Sequence, residues 1–161
     1  MTLTIRRARP HEAGLVLALV RELAEYEKLL HEVRATEADI TDALFGSNPR
    51  LFCDIAEWNG DVAGFAAWFV NFSTFAGRHG IYLEDLFVRP ALRGNGIGKA
   101  LLVNLANECV ANGWGQLQWA VLDWNAPSIA FYKSLGAVMM DEWTLCRLTG
   151  PALTTLAKGS S

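Results

Sequence analysis

The chain has 161 residues, of which 52% are hydrophobic and 19% are charged, and its formal net charge is −3. This length and composition predict a globular protein with a real core, and the slightly acidic balance argues against a nucleic-acid partner, which would require a basic face. Three scattered cysteines and three scattered histidines exclude a disulfide framework and a zinc ligand set, so we expect no metal.

The N-terminal half predicts two helices and a β-hairpin. Alternating residues at 3–8 indicate a strand, and a helical period of apolar residues runs from Pro10 to Tyr26. A capping-box pattern at Thr36 begins a helix over residues 37–45. Residues 51–58 and 62–71 alternate around Asn59-Gly60-Asp61, which predicts a hairpin.

The second half alternates strands and helices, which indicates an α/β fold. We expect one domain over residues 1–150 and a frayed C-terminal tail over 151–161. The predicted elements are a strand at 81–88, a helix at 97–111, a strand at 116–122, a helix at 125–135 and one or two final strands within 138–148.

A glycine-rich turn lies between the strand at 81–88 and the helix that follows it. Free N–H groups at a helix N-terminus can bind phosphate, and glycine lets the backbone approach closely. The turn does not match a P-loop, since Arg93 and Ala100 stand where Gly and Ser or Thr are needed. It also fails the dinucleotide pattern, because its third glycine position is Lys99.

The turn fits a third pattern, [RQ]-x-x-G-x-[GA], filled by Arg93, Gly96 and Gly98. With Tyr82-Leu83-Glu84-Asp85-Leu86-Phe87-Val88 before it and the segment 124–137 after it, the chain resembles the GNAT acetyltransferase superfamily. Over residues 3–148 it is similar to the spermidine/spermine and thialysine N-acetyltransferase branch. The alternative is a glycine turn that only begins a helix.

The resemblance implies a mixed, mostly antiparallel central sheet flanked by helices, with two splayed strands that bind acetyl-CoA. It implies that the glycine turn holds the pyrophosphate and that the strand before it pairs with the pantetheine arm. The implied cofactor-binding residues are Leu86, Phe87, Val88, Arg93, Gly94, Asn95, Gly96, Ile97, Gly98, Lys99, Asn125, Ala126, Pro127, Ser128, Tyr132 and Lys133.

Acetyl transfer to an amine requires a base and an acid. By resemblance, Tyr132 protonates the leaving thiolate and Glu84 removes the proton of the amine, directly or through water. Strand alternation sends Glu84 and Asp85 to opposite faces unless a bulge intervenes. Two alternatives stay open: Glu84 only binds the cationic amine, and Tyr132 is an ordinary half-buried helix residue.

The implied substrate site is acidic and aromatic, which suits a primary amine through charge and cation–π contacts. Its residues are Tyr26, Glu27, Glu84, Asp85, Trp119, Glu142 and Trp143. The loop at 72–79 lacks the acidic residue of the polyamine enzymes and contains Arg78. A smaller amine, with a carboxylate for Arg78 to meet, therefore fits better than spermidine.

We expect an acetyl-CoA-dependent N-acetyltransferase for a small primary amine such as a thialysine-like or lysine-like amino acid, a diamine or a polyamine, acting by direct attack in a ternary complex. The alternatives are acetylation of a protein or peptide amine, and a non-catalytic acyl-CoA-binding module. The first residues lack the apolar core of a signal peptide and no apolar run approaches ~18 residues, so we expect a cytoplasmic protein with no membrane partner. The resemblance also implies a homodimer.

Overall fold

A computed structural model describes residues 1–159 of the chain. The chain divides into two compact units, Met1–Leu122 and Asp123–Ser161. Ser160 and Ser161 of the second unit lie outside the described residues. The single domain over residues 1–150 stays a prediction.

The first unit is built on one five-stranded sheet with the strand order β1-β2-β3-β4-β5. Strands β1 to β4 pair antiparallel, while β5 runs parallel to β4. The mixed, mostly antiparallel sheet is therefore confirmed. The strands are β1 (Leu3–Arg7), β2 (Phe52–Trp58), β3 (Asp61–Ser73), β4 (Arg78–Val88) and β5 (Leu117–Trp119).

Three α-helices accompany the sheet: α1 (Ala13–Tyr26), α2 (Glu37–Phe45) and α3 (Ile97–Asn112). Short 3-10 turns at Pro10–Glu12, Leu30–Glu32 and Pro90–Leu92 lead into or away from these elements. The predicted start of α2 is confirmed, because the Thr36 hydroxyl accepts from the backbone N–H of Asp39 and the Asp39 carboxylate accepts from the backbone N–H of Thr36.

The helices cover both faces of the sheet. Cys53 and Ile55 of β2 belong to the core cluster that α1 and α2 complete. Asp54, between them on the opposite face, accepts a hydrogen bond from Asn104 of α3. Alternation along β2 therefore separates a face under α1 and α2 from a face under α3.

The second unit contains α4 (Ala126–Ser134) and α5 (Gly150–Ala157). The final strands expected within 138–148 are wrong for the described residues, which hold no strand there. Nearly all side chains of that segment are exposed, so its apolar alternation has no face to bury. The tail is not frayed from residue 151: Pro151 occupies the first turn of α5, where proline is tolerated.

No helix within the described residues is long and apolar enough to cross a membrane.

Candidate active site

Strand β4 has a free edge over its second half. Its pairing with β5 covers only Ile81, Tyr82 and Leu83, while β4 itself continues to Val88. Within residues 1–159, the backbone from Glu84 to Val88 thus has β3 on one side and no strand on the other. An unpaired strand edge offers N–H and C=O groups to an extended ligand.

The free edge begins at a β-bulge. Leu83 pairs with Trp68 and Asp85 pairs with Ala67, so Glu84 is an extra residue with no partner on β3. A bulge of this kind changes which face the following side chains occupy. The exception that the sequence left open, a bulge between the two carboxylates, is present.

The bulge puts Asp85 on the face covered by α1. Its pairing partner Ala67 belongs to the core cluster under α1 and α2, as does Phe87 two residues further on. Leu83 shares the other face with Trp68, whose indole N–H donates to Asp54 on the α3 side. Leu83 and Asp85 therefore point to opposite faces, although a regular strand would place them together.

Asp85 is partly buried and lies near other acids. Burial is the main cause that raises its pKa to about 7, and the charges of Glu84 and Glu27 raise it further. Burial also raises the pKa of Glu27, which caps the C-terminal end of α1. The structure thus groups three of the predicted substrate residues, all carboxylates, at the end of α1.

Arg93 ties the glycine turn to the same place. Its Nε donates to the carbonyl oxygen of Val88 at 2.9 Å, and its Cζ lies 4.5 Å from the ring centroid of Tyr26 and 5.5 Å from that of Phe87. These contacts are cation–π in geometry. Arg93 therefore shapes the turn and holds Tyr26 beside β4.

The glycine turn forms an open cradle at the start of α3. Gly94 and Gly96 have φ angles of +83° and +77°, and a Cβ at either position would meet no atom within 4 Å. Gly96 is the N-cap residue of α3, so the N–H groups that follow have no partner within the helix. This geometry fits a pyrophosphate, and the free edge of β4 beside it fits a pantetheine arm.

The remaining predicted residues of the turn hold its shape or line it. The Asn95 side chain donates to the carbonyl oxygen of Leu92 at 2.9 Å, and Ile97 is buried in the core. A Cβ at Gly98 would approach the Val88 side chain to 3.7 Å, whereas Lys99 is exposed. The cofactor contacts of Gly98 and Lys99 stay predictions.

Two residues proposed for the acceptor do not join this group. Trp119 pairs with Leu83 and so lies on the α3 side of the sheet, opposite Asp85. Arg78 lies on the same strand as Asp85 but seven residues away, about 23 Å at ~3.3 Å per residue. The contact between Arg78 and the carboxylate of a bound amino acid stays a prediction.

The second unit carries the other predicted residues on and after α4. The Asn125 side chain caps α4 by accepting from the N–H of Ser128 at 3.3 Å, and Pro127 lies in the first turn beside Ala126. Tyr132 is buried and Lys133 is exposed. Glu142 and Trp143 lie in an exposed turn, where the N–H of Trp143 donates to Met140.

The comparisons with known proteins decide the family. Residues 16–137 match the model of the acetyltransferase (GNAT) family. The chain belongs to this family. The GNAT fold is that of the sheet and helices described above, and the chain is an N-acetyltransferase that transfers an acetyl group to an amine.

Two relatives with stated substrates cover most of the chain. Thialysine N-epsilon-acetyltransferase of Mus musculus is 37% identical over 164 aligned residues, covering 95% of this chain and 96% of that protein. L-ornithine N5-acetyltransferase of Arabidopsis thaliana is 31% identical and covers 96% of this chain and 87% of that protein.

Among solved structures, an integron cassette protein from the mobile metagenome of V. cholerae matches with a TM-score of 0.81 at 29% identity. That match covers 98% of this chain and 99% of the cassette protein. A soil-metagenome aminoglycoside acetyltransferase, solved with sisomicin, matches with a TM-score of 0.76 at 15% identity and shares the fold alone. It covers 91% of this chain and 95% of the other.

Proposed function

We propose that this GNAT enzyme uses acetyl-CoA to acetylate a primary amine of a small molecule, with amino acids of the thialysine, lysine or ornithine type and short diamines as its substrate class. The single observation that carries the proposal is the free edge of β4, which runs from the carboxylates at Glu84 and Asp85 to the glycine cradle at Gly94 and Gly96. A thioester arm along this edge and an ammonium group beside the acids would meet on one strand.

The residues of the first unit fit the cosubstrate. The N–H groups at the start of α3 would hold the pyrophosphate, and Arg93 would fix the turn through its bond to Val88. The backbone of Phe87 and Val88 would pair with the pantetheine arm, and one of their N–H groups would face the thioester oxygen. When bound, acetyl-CoA supplies the electrophilic carbonyl carbon.

The charges near β4 and the names of two relatives support this acceptor class. Glu27, Glu84 and Asp85 form a compact acidic group that suits one ammonium, whereas a polycation would need acids spread along its length. Two relatives act on thialysine and on L-ornithine according to their names, and both substrates carry a side-chain amine. We propose direct attack in a ternary complex, with Tyr132 protonating the thiolate.

The test is CoA release from purified protein mixed with acetyl-CoA and single amines: thialysine, lysine, ornithine, putrescine, spermidine and a short peptide. Mass spectrometry identifies the product. We expect release with the small amines at least tenfold above spermidine and the peptide. Release with none of the amines would overturn the proposal, and calorimetry with CoA shows separately whether the cradle binds its nucleotide.

We also propose a cytoplasmic homodimer. Large apolar side chains of the second unit stay exposed, with Trp143 at 75% and Leu145 at 79%, and burial against a second copy would remove them from water. Light scattering after size exclusion should give twice the chain mass of 17.7 kDa. A mass of one chain would overturn the dimer and leave the enzymatic proposal unchanged.

A further inference from the structure

The bulge at Glu84 gives two adjacent carboxylates different surroundings. Glu84 is the unpaired residue of the bulge and is exposed, whereas Asp85 is turned inward toward the end of α1, on the face of Phe87. Resting on the proposed function, we propose that Asp85, rather than Glu84, accepts the proton of the acceptor ammonium. Glu27 and Glu84 then attract the ammonium by their charge.

The charges that shift the pKa of Asp85 are those of acids, while Arg93 lies against Tyr26 and Phe87. The strand of Asp85 contributes Glu84, and the end of α1 contributes Glu27. Strand β2 contributes Cys53, whose thiol has its pKa raised to about 12 by burial and by nearby acids and so stays protonated. Strand β3 contributes the apolar Ala67. Within residues 1–159, Asp85 makes no salt bridge.

The raised pKa of Asp85 makes proton transfer from the ammonium to its carboxylate less unfavourable. An alkylammonium has a pKa near ~10.4, so the equilibrium for proton transfer to an ordinary carboxylate near ~4.3 is unfavourable by about six powers of ten. The pKa of Asp85, raised to about 7, reduces this to about three powers of ten. A base with a pKa near the working pH is also still ionised in half of the molecules, which is the usual optimum for a general base.

The step balances as follows. The ammonium nitrogen gives one proton to a carboxylate oxygen of Asp85, and the freed lone pair attacks the acetyl carbon. The C–N bond forms and the C–S bond breaks, with the sulfur taking the bonding electron pair. The second proton lost by nitrogen restores the phenol of Tyr132 after that phenol protonates the thiolate. Asp85 then releases its proton to water, so the net reaction frees one proton.

The decisive experiment compares the pH dependence of kcat/KM for Asp85→Asn and Glu84→Gln, using the amine that wild type acetylates fastest. In wild type, kcat/KM should fall tenfold per pH unit below about 7, because the base must be ionised. Asp85→Asn should lose the levelling-off near pH 7 at which this limb ends, and it should be ~100-fold slower at pH 7. Its rate should then rise toward the pKa of the amine near ~10.4, since a free amine needs no base.

The matched control separates a catalytic from a binding role. Glu84→Gln should keep a limb that levels off, at a somewhat lower pH because its charge also raises the pKa of Asp85, and should change mainly KM for the amine. If the rate of Glu84→Gln does not level off, or if the rate of Asp85→Asn still levels off near pH 7 and only its KM rises, Asp85 is not the base. Glu27→Gln offers a second, independent variant, because removing its charge should move the limb to lower pH; an unmoved limb would also contradict the inference.

Two measurements keep this inference apart from the proposed function. Calorimetry with CoA should give wild-type affinity for Asp85→Asn, which shows a folded cradle. Wild type that acetylates no amine would overturn the proposed function and the inference with it. Active wild type with an unchanged limb in Asp85→Asn would overturn the inference alone.

Discussion

Helix α1 begins beside a buried carboxylate, Glu12, and ends beside a partly buried one, Asp85, and the surroundings shift the pKa of these two groups in opposite directions. At the start, Glu12 accepts from Nη1 and Nη2 of Arg6 at 2.8 Å each and from the backbone N–H of Arg9 at 2.8 Å. These bonds hold the pKa of Glu12 down at about 2. At the other end, Asp85 has acidic neighbours, and burial raises its pKa to about 7.

The difference distinguishes Glu12, an acid that stabilises the fold, from Asp85, an acid that we propose takes part in the reaction. Glu12 is 9% exposed and fully paired, and its charge also lies at the positive end of the helix dipole, so ionisation stabilises the fold. Glu27 and Asp85 lie at the negative end of the same helix, where ionised acids are disfavoured. A charge that is left without a partner at a cost to stability is a mark of a functional site.

Removing the arginine partner of Glu12 at the start of α1 should have the largest effect on stability. Arg6→Met leaves Glu12 buried without its guanidinium partner and also removes the 2.7 Å salt bridge from Arg6 to Glu57. We expect the free energy of unfolding at pH 7 to fall by about 3 kcal/mol, measured by urea denaturation. Arg21→Met, at an exposed position of α1, is the control and should change it by less than about 0.5 kcal/mol. Equal losses in both variants would refute the structural role of the pair.

Removing the charge of Asp85, at the other end of α1, should instead increase stability. Asp85→Asn removes a charge that burial disfavours, so the free energy of unfolding at pH 8 should rise by about 2 kcal/mol. The gain should disappear below pH 4, where Asp85 is protonated in both folded and unfolded chains. The exposed Asp61→Asn is the control and should give no such gain. A destabilised Asp85→Asn at pH 8 would show that the carboxylate is paired in solution.

The pH dependence of stability sharpens the same contrast. The folded-state pKa of Glu12 lies below its ordinary value of 4.5, so its contribution is present above pH 4.5 and is lost as pH falls toward 2. The folded-state pKa of Asp85 lies above its ordinary value of 3.8, so its contribution is present below pH 3.8 and is lost as pH rises through 7. Each group can change the free energy of unfolding by at most ~1.4 kcal/mol per pH unit.

Urea denaturation of wild type and both variants at pH 3, 5 and 7 checks this dependence. The difference between wild type and Arg6→Met should shrink from pH 5 to pH 3, and that between wild type and Asp85→Asn should grow from pH 5 to pH 7. Differences that do not vary with pH would contradict both assignments.

The sequence predicts most of the first unit because its local signals agree with its burial. The capping box at Thr36 and the Asn59-Gly60 turn predict α2 and the β2–β3 hairpin, and both are present. The segment 138–148 has alternating apolar residues, but alternation alone cannot say whether a neighbouring strand exists to pair with them. Similarly, Pro151 indicates a break when the sequence is taken alone, although it lies in the first turn of α5.

The candidate site could be predicted in composition but not in orientation. The glycine turn is visible as Gly94 and Gly96, since only glycine readily adopts their positive φ angles. The direction of Asp85 depends on one extra residue in β4 relative to β3, which is a property of strand register. Two adjacent acids in an otherwise apolar strand were the only signal of that bulge.

The smallest expected effect concerns the strained residue at the acidic end of α1. Lys28 has a φ of +63°, and the N–H groups of Lys28 and Leu29 donate to Glu25 and Ala24 in a Schellman pattern that usually places glycine at this position. Lys28→Gly should therefore raise the free energy of unfolding by about 0.5–1 kcal/mol, measured by urea denaturation. Lys158→Gly, at the end of α5 with a φ of −82°, is the matched control and should not stabilise. If Lys28→Gly stabilises the fold but lowers kcat/KM for the amine, the lysine side chain beside Glu27 contributes to activity rather than to stability. A variant with unchanged stability and unchanged kcat/KM would show that the end of α1 carries no strain.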